Sequence, residues 1–458
     1  MAELSPMMQQ YLEIKKQHKD EILFYRIGDF YEMFFEDALT ASKELDLTLT
    51  GKQCGLEERA PMCGVPFHSY EGYVARLIAK GYKVAICEQV EDPAKAKGLV
   101  KRDIIRVVTP GTVIESSMLQ DDRNNYIASI YLKGKKAGLC FADVSTGTAH
   151  ITELAADKIA PAVITELCRF HPSEVLMNPG LLDCREVTAY IKKNMTCSVE
   201  LVEDERYAPG LVAASLESQF GRDWPQTTGM AENGLVRFAM AALLEYLHDT
   251  QIKGVERLKT VVTYNEAQFM RLSPVTRANL ELTETLRGRE KRGTLLWVLD
   301  KTSTAMGKRM LRSWIEQPLL SSKLINQRLN AVESLVRQTV VRGDLTDELH
   351  YIADMERLMT RTVYGSATPK EIYTLAQTCE HLPVLRQQAT ACGCPELAEL
   401  AAEEGIPVFT MEKGQCLTEG KLSLTCIQPG KGEMEETGNS ASLVLCLLYT
   451  SPSPRDRS

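Results

Sequence analysis

The sequence predicts a multidomain chain: a mixed α/β domain, a second α/β domain, then a mainly α region. Three observations carry this expectation. The chain has 458 residues, enough for two to four domains of ordinary size. Hydrophobic residues make up 44% and charged residues 25%, a balance that supports buried cores. The hydrophobic period also changes along the chain, from alternating strand and helix patterns to long runs of helical spacing.

The first domain is expected over 1–115. "PMMQQYLEIKKQH" has helical spacing at Met8, Tyr11, Leu12 and Ile14. "EILFYRIG" reads as a strand. "YEGYVARLIAKGY" reads as an amphipathic helix stopped near Gly81, and "KVAICEQV" and "IIRVVTPGT" follow as strands. "SSMLQDDRNNY" is polar and turn-rich, and reads as a linker. The second domain is expected over 124–250. Its opening run, "NYIASIYLKGKKAGLCFADVSTGTAHITEL", predicts an antiparallel meander turning at Lys133-Gly134 and Ser145-Thr146-Gly147. "APAVITELCRFHPSEVLM" predicts a helix and then a strand. From Glu232, "ENGLVRFAMAALLEYLHDTQ" predicts a long helix where the helix-rich character begins. An incomplete helical domain is expected over 260–400, its helices separated by breaks such as "EQPLLS" and "YGSATPKE". The stretch 405–458 loses periodicity, predicts no packed element, and reads as a foreign terminus or an incomplete reading frame.

The absence of any apolar run of 18 or more residues predicts no membrane span. The first twenty residues lack a basic stretch followed by an apolar one, so no secretory signal is expected. Thirteen scattered cysteines without a C-x-x-C pair suit free thiols in a reducing cytoplasm. A net charge of −8 argues against indiscriminate nucleic-acid binding. Charge is uneven, however: Arg271 to Arg342 holds fourteen Lys/Arg against six Asp/Glu. Such a stretch can hold phosphates locally; it can equally be a solvated helical surface.

Catalytic signatures are weak. A phosphate loop needs G-x-x-x-x-G-K-[ST], so that backbone N–H groups and the lysine wrap the phosphates. The nearest run, Gly414 to Leu422, has five residues between its glycines and Leu422 where a hydroxyl should stand. Asp143 sits where a ribonuclease-H-like nuclease places a metal carboxylate, but two-metal chemistry needs converging partners; stapling the Ser-Thr-Gly turn is the better expectation. Cys379, His381, Cys392 and Cys394 are spaced unlike a standard zinc site, and buried thiols are expected. No Ser-His-Asp or Cys-His signature is present.

"GDFYEMF", Gly28 to Phe34, is the stretch that chemistry singles out. In one reading, an exposed Phe30 acts as a wedge that unstacks a base step, at a cost of roughly a few kcal/mol, least where the step is weakly paired. Glu32 is then informative, because phosphates repel it, so its use would be a hydrogen bond with a base. In the other reading, the stretch is a half-buried strand, with Phe30 and Phe34 in the core and Asp29 and Glu32 outward.

"FYRIGDFYEMFFEDA" resembles the mismatch-recognition motif of the bacterial MutS family of DNA mismatch repair proteins. "PMCGVPFHSYEGYVARLIAKGYKVAICEQVEDP" and "VVTPGT" are similar to the rest of that family's first domain, and "ADVSTG" to its connector. "LSPVTRANLELTETLRG", "LLWVLDKTSTAMGKRMLRSWIEQPL" and "INQRLNAVESL" are similar to its helical core. The resemblance runs from Ser5 to Thr368 and fades by Leu400. It implies a mixed α/β mismatch-binding domain, a ribonuclease-H-like connector and a mainly α lever and core domain. By the same resemblance Phe30 stacks on a mispaired base and Glu32 hydrogen-bonds it, with no catalytic, cofactor or metal residue in this chain. The implied partner is double-stranded DNA with mismatches or small loops. An intact protein would be a homodimeric, ATP- and magnesium-dependent sliding sensor working with a MutL-type partner in the cytoplasm, at the nucleoid. Two other readings stand beside it: a magnesium-dependent ribonuclease-H-like nuclease built on Asp143, and a helical protein-interaction scaffold.

Overall fold

The computed structural model describes residues 4–55, 57–91, 98–250, 258–395 and 397, with the backbone of three later strands. The chain divides into two compact units, one of residues 1–266 and 271–276, the other of 267–270 and 277 onward.

The first unit holds two sheets. Strands β1 (Glu21–Ile27), β2 (Phe30–Phe34), β3 (Thr50–Lys52), β4 (Ala60–Pro66), β5 (Lys83–Gln89) and β6 (Arg102–Val108) are ordered β3-β4-β2-β1-β5-β6. Only β1 and β5 run parallel; the other neighbours are antiparallel. The apolar run "ILFY" in β1 follows from burial on both faces. Leu23 and Tyr25 point to one face, where Met8 and Tyr11 of helix α1 (Pro6–Gln17) cover them together with Phe34. Ile22 and Phe24 point to the other, covered by α2 (Phe35–Leu45) and α3 (Tyr70–Ala79). Gly81, just past α3, has φ +86°, the left-handed conformation that made it a stop signal.

The second sheet is ordered β11-β10-β7-β8-β9-β12. Its meander is β7 (Ile127–Lys133), β8 (Lys136–Asp143) and β9 (Thr148–Ala155), antiparallel throughout. After α4 (Ile159–Phe170), β10 (Glu174–Met177) returns parallel to β7. Short α5 (Pro179–Leu182) and α6 (Arg185–Asn194) lead to β11 (Ser198–Leu201), parallel to β10. Then come α7 (Pro209–Phe220), α8 (Trp224–Thr228), α9 (Val236–Thr250) and β12 (Thr260–Thr263), parallel to β9.

Two sequence expectations change here. The long helix after Glu232 falls inside the second domain's expected bounds, but it is sheet-packed: α9 buries Ala239, Met240, Leu243, Leu244 and Leu247 and lies on β7 and β8. Thr260–Thr263 likewise extends the second sheet, although the helical region was expected from 260. The "linker" is also anchored. Met118 and Leu119 pack on the first core, while Asn124 and Asn125 bond to Asp143. Where the two sheets meet, buried Glu174 accepts hydrogen bonds from Thr109 Oγ1, Gly111 N (3.0 Å) and Tyr246 Oη (2.7 Å).

The second unit is helical. After α10 (Pro274–Asn279), whose first three residues belong to the first unit, it includes α11 (Leu295–Leu299), α12 (Ala305–Glu316), α13 (Ser322–Arg337), α14 (Thr339–Leu349), α15 (Met355–Tyr364) and α16 (Pro369–Ala391). The expected breaks are real. Helix α12 stops before Pro318, and α15 ends at Gly365 with φ +71°. Helix α16 starts in a capping box between Thr368 and Glu371, with Pro369 in its first turn. Arg309 of α12 reaches Asp354 at 2.7 and 2.8 Å and Glu356 at 2.6 Å, tying α12 to the start of α15. In the stretch where no packed element was expected, β13 (Cys416–Glu419), β14 (Leu422–Cys426) and β15 (Leu445–Tyr449) form an antiparallel sheet.

Candidate nucleic-acid interface

Strands β1 and β2 form a hairpin with a two-residue loop, Gly28-Asp29, since Ile27 pairs with Phe30. Gly28 has φ +55°, and tight hairpins take glycine at such a position because a Cβ would be strained there. The loop sets Phe30 as the first residue of β2. Alternation then puts Phe30, Glu32 and Phe34 on one face and Tyr31 and Met33 on the other. Tyr31, Met33 and Phe34 are buried, whereas Phe30 is 48% exposed. The half-buried-strand alternative therefore holds for Phe34 and fails for Phe30. Helix α1 covers the Phe34 end of this face through Tyr11, whose ring meets Phe34 edge-on at 5.0 Å.

The hairpin is braced from both sides. Phe67, at the end of β4, donates its N–H to the Asp29 carbonyl at 2.9 Å. Its 38% exposed ring carries the Arg26 guanidinium 3.6 Å from the centroid. Arg26 also donates to the Gly28 carbonyl and lies 3.4 Å from Glu88. Tyr31 hydrogen-bonds Glu88 from the other face, and burial together with that carboxylate pushes its hydroxyl well above the usual range. Phe30 thus stands on a held backbone.

Glu32 is not a free carboxylate. It forms an ion pair with Lys52 of the edge strand β3, with both side chains partly buried. Gly64 pairs with Glu32 across β2–β4. A Cβ there would lie 3.5 Å from Glu32 Cγ and 3.2 Å from the Tyr31 carbonyl, so glycine leaves Glu32 its room. Sequence reasoning missed Lys52, Arg26 and Phe67. Arg26 belongs to the hairpin's own β1, whereas only the register of β3, β4 and β2 brings Lys52 and Phe67 to it.

The other candidates resolve differently. Both Asp143 oxygens are occupied: Asn124 Nδ2 and Asn125 N donate to one at 2.8 and 3.1 Å, Ser145 N and Oγ to the other at 2.9 and 2.6 Å. This carboxylate staples a turn. Among the described residues no group of three or more His, Cys, Asp and Glu is arranged to hold a metal ion. Cys392 and Cys394 are buried thiols, Cys379 is exposed, and His381 instead bonds Glu348 at 2.7 Å. In the Gly414 run, Gly414, Gly420 and Lys421 lie outside the described residues. Gln415 lies outside them too; the described Cys416–Glu419 pairs as a strand with the strand that begins at Leu422. Part of the basic excess in Arg271–Arg342 is spent internally, since Lys291, Arg309, Arg312 and Arg337 pair with carboxylates. No helix among the described residues is long and apolar enough to cross a membrane.

Comparison with known proteins gives three family matches in series: MutS domain I over residues 5–117, MutS domain II over 125–259 and MutS domain III over 275–433. The last extends past residue 405, where the sequence reading placed an unassigned tail. The chain is 44% identical over 403 residues to the DNA mismatch repair protein MutS of Lachnoclostridium phytofermentans, covering 88% of this chain and 43% of that protein. It is 46% identical over 386 residues to that of Ruminiclostridium cellulolyticum, covering 84% and 44%. It is 43% identical over 404 residues to that of Clostridioides difficile, covering 88% and 42%. The chain spans less than half the length of these curated relatives.

Proposed function

This chain belongs to the MutS family of DNA mismatch repair proteins, carrying its domains I, II and III, and from that premise we propose that it reads mispaired or unpaired bases in duplex DNA through Phe30 and Glu32. The observation that carries the reading is Phe30 itself. A large aromatic ring, 48% exposed, stands at the tip of a braced hairpin whose other β2 aromatics are buried. Exposing it costs the first domain core area, and stacking on a weakly paired base offsets that cost. Glu32 lies two residues on, on the same face, as an acceptor for a base N–H.

The 3-2-1-4-5 strand order of β9-β8-β7-β10-β11 supports the ribonuclease-H-like reading of the connector. The satisfied Asp143 carboxylate weighs against nuclease chemistry there. ATP and magnesium dependence, sliding, homodimerisation and a MutL-type partner in the cytoplasm, at the nucleoid, belong to the proposal for the longer protein.

The test is a titration of heteroduplex and homoduplex with the Phe30→Ala and Glu32→Ala variants. Aromatic–base stacking is worth roughly 1–3 kcal/mol, so Phe30→Ala should weaken heteroduplex binding about ten- to a hundredfold with unchanged thermal unfolding. Glu32→Ala should raise homoduplex affinity, lowering the mismatch-to-match ratio. Wild-type ratios in both variants would remove the hairpin from mismatch reading.

A further inference from the structure

The strongest unassigned feature is the partner of Glu32. Lys52 extends from the edge strand β3, two strands away from β2. Its ammonium lies 5.6 Å from the centroid of the Phe34 ring and reaches the Glu32 carboxylate. Bare Gly64 on the intervening strand leaves the space open. Lys52 is still partly exposed, with 29% of its side chain open to solvent, so it can leave the pair without unfolding anything. Both groups lie on the Phe30 side of the sheet, which the proposed function turns toward DNA.

We propose that Lys52 is a specificity-determining residue that acts as an exchangeable counter-ion. This rests on the mismatch-reading role of Glu32. In the free protein Lys52 neutralises Glu32 and holds it in place. On a matched duplex no base N–H is presented, so the pair persists and offers the DNA no net charge. On a mismatch the carboxylate accepts a hydrogen bond from the displaced base. The ammonium is then released to a phosphate, a mobile cation on a long stem being suited to such a transfer. The pair thus makes one phosphate contact conditional on one base contact, which is a way to build discrimination from a non-specific interaction.

The experiment reads the salt dependence of binding, because a merely structural lysine would not move it. Each phosphate neutralised on B-DNA contributes about −0.9 to the slope of log K against log salt. Heteroduplex and homoduplex are titrated by fluorescence anisotropy from low ionic strength upward, with wild type, Lys52→Met, Glu32→Gln and the double variant. Lys52→Met should make the heteroduplex slope shallower by about 0.9, while Glu32→Gln, by freeing the lysine, should make the homoduplex slope steeper by about 0.9. The double variant should lose that gain. An unchanged heteroduplex slope in Lys52→Met, or an unchanged homoduplex slope in Glu32→Gln, would overturn the exchange. Phe30→Ala in the same assay separates the two levels: an unchanged mismatch-to-match ratio in that variant refutes mismatch reading by the hairpin, whatever the slopes do.

Discussion

Phe30 and Phe34 stand four residues apart on one face of β2, yet one is half exposed and the other has no accessible surface. Position decides this, because both are the same residue. Tyr11 covers Phe34, while Phe30 sits at the open end beside the Gly28-Asp29 loop. The sequence shows the alternation but not where the covering helix ends, so two readings of "GDFYEMF" stood open until the structure placed Phe30 in solvent. The Glu32–Lys52 pair was even less legible. Twenty residues and two strand registers separate the partners, and no local pattern marks Lys52. His150 carries a prediction of its own. Packed against Tyr126 and Phe170, it is pushed down to about 4 by burial, against the opposing pull of Asp143. An unfolded histidine titrates near 6.5. Between those values the unfolded chain binds a proton that the folded chain refuses. Stability is therefore full above about pH 6.5 and falls as pH drops toward 4, by up to about 1.4 kcal/mol per pH unit. Urea unfolding of wild type and His150→Phe across this window should show a flatter profile in the variant; parallel profiles would show that His150 does not contribute.

Among the elements, α9 shows how composition can mislead. Its Ala-, Leu- and Met-rich run reads as the start of the helix-rich character, and the helix is there. Its partner is the second sheet, because small residues let it approach closely. Gly138 on β8 is the contact point: a Cβ added there would lie 2.3 Å from the Leu235 carbonyl carbon and 2.4 Å from Val236 N. Backbone cannot give way as a flexible side chain does. Gly138→Ala should therefore cost about 1–3 kcal/mol, the usual penalty of overpacking, with the loss read by thermal or urea unfolding. Gly72→Ala is the counterpart: it is exposed in α3, with nothing within 4 Å of an added Cβ. It should be neutral or stabilising by roughly 0.5–1 kcal/mol, as glycine to alanine is in a helix. Equal stability of the two variants would refute the close approach. The meander, β1, β5, α1 and α3 were legible because period and punctuation agree in each. Strand β12 was not, since four residues of "TVVT" gain their strand identity only from pairing with β9.

At the scale of the whole chain, the order of two α/β parts and a helical part was readable from the change in hydrophobic period. How the parts are joined was not. The polar segment 116–126 reads as a linker, but Met118, Leu119, Asn124 and Asn125 anchor it at both ends. Charge shows the same limit. The excess of Lys and Arg between Arg271 and Arg342 is visible in sequence, but which of them are neutralised at home is not, and Arg309 is the clearest case, buried between Asp354 and Glu356. The last prediction concerns nucleotide. Relatives of this family are more than twice as long as the matched region, and whatever nucleotide chemistry the longer protein performs needs a loop of backbone N–H groups, a lysine and a hydroxyl in fixed spacing. This chain offers only the Gly414 run, with one residue too many between its glycines and Leu422 in place of the hydroxyl. Its described part lies in two antiparallel strands. A strand hairpin directs alternate N–H groups to opposite sides, so they cannot converge on a phosphate. The purified chain should accordingly release phosphate from ATP at the rate of a buffer control, with magnesium and with or without heteroduplex. Turnover above that background, lost in Lys421→Ala, would mean that the run binds nucleotide despite its spacing.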